Sequence, residues 1–108
     1  MSERTVERVK KMEEILDKVT PKVNAFEESL ANFNSSFEDL KVLNEYYKKE
    51  WKEDYEADEQ GKIPKDLKRG VLSQDTLFNL LEKVNSMEKE IAELNNKIKQ
   101  LHYFKKNN

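Results

Sequence analysis

Residues 51–75, WKEDYEADEQGKIPKDLKRGVLSQD, separate two long stretches of regular apolar repeat and obey neither of them. The segment holds both glycines of the chain, Gly61 and Gly70, and one of its two prolines, Pro64. Breakers at this density end a helix and turn the chain. Charge is split across the same stretch. Residues 50–59 carry six acids against Lys52, a net of −5, and residues 62–69 carry four bases against Asp66, a net of +3. Acids at the end of a helix oppose its macrodipole, so a basic loop folded back over them would offset the cost.

Upstream of the turn, large side chains recur at alternating steps of three and four. They are Val9, Met12, Leu16, Val19, Val23, Phe26, Leu30, Phe33, Phe37, Leu40, Asn44, Tyr47 and Trp51, with Asn44 the one polar member of the series. Downstream the series is Leu77, Leu80, Val84, Met87, Ile91, Leu94, Ile98 and Leu101. This spacing places each series on one helical stripe, and sustained over several heptads it is the coiled-coil pattern. The expected fold is all-α: a long antiparallel helical hairpin of coiled-coil type, without β-sheet. Matching heptad types across the hairpin sets Leu77 opposite Tyr47, Val84 opposite Leu40, Ile91 opposite Phe33 and Leu101 opposite Val23. Asn44 either fixes that register as a polar group in an apolar seam or lies at an exposed edge.

The helix ends are legible as well, within a single domain over residues 1–108. Ser2 caps a first helix at about 3–19, and a second runs over about 21–58 and stops at Gly61. An ordered loop spans about 59–72, and Ser73 caps a last helix over about 73–104 that frays near Lys105. Thr20-Pro21 is open to two readings. Thr20 caps a new helix that folds back, or Pro21 kinks one continuous helix at a cost of about 3 kcal/mol.

Near the bend the apolar surface is wider than one stripe, because Leu43, Tyr46, Phe78 and Leu81 flank it. Such breadth calls for a covering element. The loop supplies Ile63, Leu67, Val71 and Leu72, with Trp51 and Tyr55 as their platform, and Leu67 is expected to be buried. The stripe before Pro21 has no partner left in the hairpin. Val6, Val9, Met12, Ile15, Leu16 and Val19 are expected to pair with a second copy as a homodimer, the alternative being a fold-back as a third helix.

The residues of the bend resemble a known family. The run W-x-x-D-Y-E-A-D-E-x-G-K-x-P-x-D-L-K-R-G-V-L-S-x-D, with NEYYKKEW before it and TLFNLLEK after it, is similar to the signature of a family of small bacterial proteins, the domain of unknown function 4298. The resemblance covers most of the chain. It implies an all-helical intracellular protein, implies no biochemical activity, and leaves the loop as the place to look.

Composition narrows function further. The chain has no cysteine, which excludes disulfide frameworks, zinc ribbons and thiol nucleophiles. Its single histidine, His102, stands near the C-terminus, away from the bend. Glu50, Asp54 and Asp58 share a helix face, yet neither the spacing of an EF-hand nor that of a di-iron bundle occurs, and no P-loop opens at Gly70. A net charge of −2 and a sequence pI near 5.6 oppose nucleic-acid binding. No apolar run approaches the roughly 20 residues that span a bilayer, and no basic amphipathic helix suits a membrane surface. A cytoplasmic, non-enzymatic protein-interaction or scaffold module without a cofactor is the first expectation. Its candidate surface is Trp51, Asp54, Tyr55, Asp58, Glu59, Lys65, Lys68 and Arg69. The alternative is a small-ligand or metal-binding helical protein using the acidic and basic groups of residues 50–69.

Overall fold

The computed structural model describes residues 2–101; the expectations for His102 and for fraying near Lys105 lie outside them. The described residues form four α-helices and a 3-10 turn, with no strand among them. The helices are α1 (Glu3–Ser35), α2 (Phe37–Lys49), α3 (Trp51–Glu59) and α4 (Thr76–Lys99), and the 3-10 turn is Gly70–Leu72. The fold is all-α. The chain divides into two units, Met1–Lys41 and Val42–Asn108.

In the first unit, Ser2 caps α1 as expected, its Oγ accepting from the Thr5 N–H at 3.2 Å. The boundary expected at Thr20-Pro21 is not there. α1 runs through Pro21 without interruption, which overturns both the fold-back and the separate helices at 3–19 and 21–58. Thr20 shows why. Its hydroxyl donates backward to the Leu16 carbonyl at 2.7 Å instead of accepting from the turn ahead, so it works as a mid-helix residue and not as a cap. Proline removes a single N–H from a helix that has more than a dozen residues on each side, and Pro21 lies opposite the stripe that contains Val19 and Val23.

The helix breaks where serine and glutamate sit. Ser35 and Ser36 donate their hydroxyls to the carbonyls of Asn32 and Phe33, both at 2.8 Å, and the Ser36 N–H bonds Phe33 three residues back. These bonds compete with the i→i−4 ladder and end α1. At Glu50 the backbone reaches φ −123°, and α2 gives way to α3. The expected helix over 21–58 is therefore the end of α1 followed by α2 and α3.

The second unit holds a helical hairpin. α3 ends in a Schellman motif: Gly61 takes φ +72°, its N–H bonds the Asp58 carbonyl, and the Lys62 N–H bonds that of Ala57, both at 3.0 Å. A left-handed φ is what only glycine adopts freely, so the stop expected at Gly61 has a physical cause. The cap expected at Ser73 falls instead at Asp75, because α4 begins at Thr76 after a turn at Gln74 and Asp75; Ser73 Oγ accepts from the Thr76 N–H at 3.3 Å within that turn. Both α3 and α4 pack on the 3-10 turn.

The core is small and lies at the bend. Among the described residues, Leu72 (6% exposed) and Leu77 (3%) are the buried hydrophobic side chains. Leu67 is 57% exposed, contrary to the burial expected for it. The loop path explains the swap. Leu67 lies in a turn closed by its own N–H to Pro64, whereas the 3-10 turn that follows aims Leu72 between α3 and α4. At the bend the Tyr47 ring lies 6.4 Å from Phe78, the neighbour in sequence of the Leu77 expected opposite Tyr47. Asn44 is half-buried. Farther from the bend, Ile91, Leu94 and Ile98 remain exposed.

Candidate functional site

Tyr47, Trp51 and Tyr55 stand at i, i+4 and i+8, so one helical face presents three rings in a row. The Tyr47 and Trp51 centroids are 5.3 Å apart with a 48° tilt, and Trp51 stacks on Tyr55 at 4.9 Å and 19°. Phe78 of α4 extends the row beyond Tyr47. Trp51 is also pinned from the far side of the bend, where its Nε1–H donates to the Val71 carbonyl at 2.8 Å. An indole that is half-buried and held by stacking and a hydrogen bond is a fixed platform. The connection made in the sequence between Trp51, Tyr55 and the loop is present. Its contact with the loop runs through a backbone carbonyl, which no side-chain pattern announces.

The two charge blocks meet at one point. Arg69 donates from Nη1 to Asp58 Oδ1 at 2.5 Å, with both side chains mostly shielded from solvent. Its shielding from solvent distinguishes this pair from the exposed ion pairs elsewhere on the helices. Lys65, Lys68 and Glu59 are exposed and make no ion pair among the described residues. The basic loop therefore offsets one acid of the helix end and leaves the remaining charge facing outward.

Asp54 has a different task. Its Oδ2 accepts from the Tyr46 hydroxyl at 2.7 Å, across the interruption at Glu50. Desolvation pushes the Tyr46 phenol up to about 12. The bond to Asp54 and the negative charges of Asp54 and Glu50 act in the same direction. Tyr46 was recognisable in the sequence only as a flanking apolar residue. A pair eight residues apart falls outside the three- and four-residue spacings that mark side-chain neighbours on a helix. Because the folded-state value exceeds the ordinary one, this interaction stabilises the fold fully below about pH 10, and the contribution disappears as pH rises to about 12. Tyr46→Phe is expected to abolish that alkaline loss, read as the difference between the two proteins in urea midpoint across the pH 10 to 12 window.

Of the three carboxylates that share a helix face, Asp54 is engaged by Tyr46, Asp58 is engaged by Arg69, and Glu50 is exposed. Among the described residues no three carboxylate or imidazole groups converge as a metal site requires.

Two open grooves flank the bend. One runs beside the aromatic row and is lined by Tyr47, Trp51, Tyr55, Lys48, Glu56 and Gln74. The other has an apolar floor of Leu43, Val71, Leu77 and Leu80, with Lys68 and Lys83 among its lining. Lys83 and Leu80 were not singled out in the sequence as site residues, since a helical lysine beside an apolar stripe is the commonest kind of solvated position. No helix among the described residues is long and apolar enough to cross a membrane.

No curated protein and no solved structure matches the chain. A family model described as a domain of unknown function, DUF4298, matches residues 9–94, a span that contains the hairpin bend, its aromatic row and both grooves. The chain belongs to the DUF4298 family.

Proposed function

We propose that the protein is a cytoplasmic, non-enzymatic interaction module whose bend binds another protein. One observation carries this reading: the bend is held by its own packing and by the Asp58–Arg69 pair, while Lys68 and Lys83 line an apolar groove and make no ion pair among the described residues. A fixed apolar floor with lysines in its lining suits a partner segment that presents an apolar side chain flanked by acids. Apolar contact supplies affinity, and the lysines supply orientation and rate of encounter. Trp51 and Tyr55 hold the bend that positions this groove, and Lys68 and Lys83 are the positions where a partner is read.

The test is recovery of bound protein from the native host with the wild type and with Lys68→Glu/Lys83→Glu. Both lysines are exposed, so the variant should melt as the wild type does and lose about tenfold in affinity for the recovered partner. A second reading, small-ligand binding by the charged groups of residues 50–69, makes a different forecast. If a divalent cation or an anionic metabolite raises the melting midpoint and the lysine reversals leave partner recovery intact, the interaction reading fails.

A further inference from the structure

The apolar stripe of α1 is not covered by any other element of its unit. Val9, Met12, Leu16, Val19 and Val23 are 45–59% exposed. Because the helix passes through Pro21 unbroken, these residues lie on one continuous heptad repeat that extends to Phe33, and Val23 and Phe33, expected opposite Leu101 and Ile91, are exposed, as are Leu101 and Ile91. Val9, Leu16, Val23 and Leu30 occupy one seam position of the heptad, and Met12, Val19, Phe26 and Phe33 the other.

The residues that border this seam carry a directional charge code. One border holds Arg8, Ile15 and Lys22; the other holds Glu13, Thr20 and Glu27. In a parallel, in-register pair each residue of the first border faces the residue five positions later on the second chain. Arg8 then meets Glu13, Ile15 meets Thr20 and Lys22 meets Glu27, each twice by symmetry. In an antiparallel pair each border faces its own kind. Glu13 and Glu27 would meet only acids, and Arg8 and Lys22 only bases, in any register that brings charged positions together. None of these four side chains makes an intrachain ion pair among the described residues. The surface is therefore complementary to itself in one orientation and repels itself in the other.

We propose that α1 joins a second copy of this chain in a parallel, in-register, two-stranded coiled coil. The apolar seam drives association, and the four symmetry-related ion pairs set direction more than strength. The inference is independent of what the bend binds.

Three measurements on the full chain test it. The wild type is expected to scatter light as a dimer at high micromolar concentration. The chain lacks cysteine, so Met12→Cys places a single thiol at the seam. Mild oxidation should link two copies through residue 12, because a parallel register brings identical positions together. Finally, Glu13→Lys/Glu27→Lys and Arg8→Glu/Lys22→Glu should each weaken self-association by on the order of tenfold to a hundredfold. An equimolar mixture of the two should re-form a dimer of wild-type affinity, because each border then meets the opposite sign. That rescue also shows that neither variant has simply lost its helix. A monomeric or trimeric wild type, a residue-12 thiol that does not link, or reversed variants that self-associate as tightly as the wild type would each overturn the proposal.

Discussion

Leu77→Ala is expected to cost about 3–4 kcal/mol of stability and Leu72→Ala about 2–4 kcal/mol, with Leu67→Ala within about 0.5 kcal/mol of wild type. Leu72 and Leu77 are the enclosed hydrophobic side chains among the described residues, and both sit where α3, the 3-10 turn and α4 meet. Truncating either leaves a void flanked by two helices and a turn that cannot close over it without moving backbone, so transfer and cavity terms add. A domain of this size has a net stability of roughly 5–15 kcal/mol, so one such truncation removes a large part of it. Leu67 is 57% exposed and has little to lose. Urea unfolding followed by the fluorescence of Trp51, the sole tryptophan and a component of the same bend, reads all three variants. Equal losses for Leu67→Ala and Leu77→Ala would show that the loop packs through Leu67 after all.

Trp51→Ala is expected to cost about 2–3 kcal/mol, and Trp51→Phe about 1 kcal/mol. The alanine variant loses the stack on Tyr55, the contact with Tyr47 and the hydrogen bond to Val71 together. Phenylalanine keeps most of the ring contact and removes the Nε1–H donor, so the difference between the two variants separates packing from hydrogen bonding. The figure for alanine falls below that for an enclosed tryptophan because Trp51 is only half-buried. Circular dichroism must replace fluorescence here, since each substitution removes the fluorophore. If phenylalanine costs as much as alanine, the bond to the Val71 carbonyl holds the bend and the aromatic row is incidental. Loss of neither kind would mean that the loop is not anchored at Trp51.

Much of the candidate site is legible in the sequence. The charge blocks, the aromatic positions and the family resemblance group Trp51, Tyr55, Asp58 and Arg69, and the structure brings them to one bend through stacking and one ion pair. Asp54 belongs to the same candidate surface in the sequence, and in the structure it is half-buried and bound to Tyr46. Glu59, Lys65 and Lys68 are on the same bend but are not drawn into its hydrogen bonding. Lys83 and the groove itself escaped notice, although its floor residues are apolar positions named in the sequence, because a groove is a property of two elements and their separation, which neither helix encodes by itself.

Sequence alone determined the all-α class, the turn between α3 and α4, and two helix ends. These ends rest on interactions within about five residues: the Ser2 cap on Thr5 and the Schellman bonds around Gly61. Short-range chemistry of this kind is written directly in the order of side chains. Only the structure decided whether Pro21 broke the helix, because a cap and a tolerated kink begin from the same Thr-Pro pair; the helix continues and the Thr20 hydroxyl turns back to the Leu16 carbonyl. Tertiary structure also decided that Leu72 rather than Leu67 fills the bend. Both are leucines of one loop, and their burial depends on the path imposed by the Trp51 bond to Val71 and the Arg69 pair with Asp58. Those contacts join residues 20 and 11 positions apart. At that separation periodicity is silent, and the balance of packing and desolvation around the bend selects the partner.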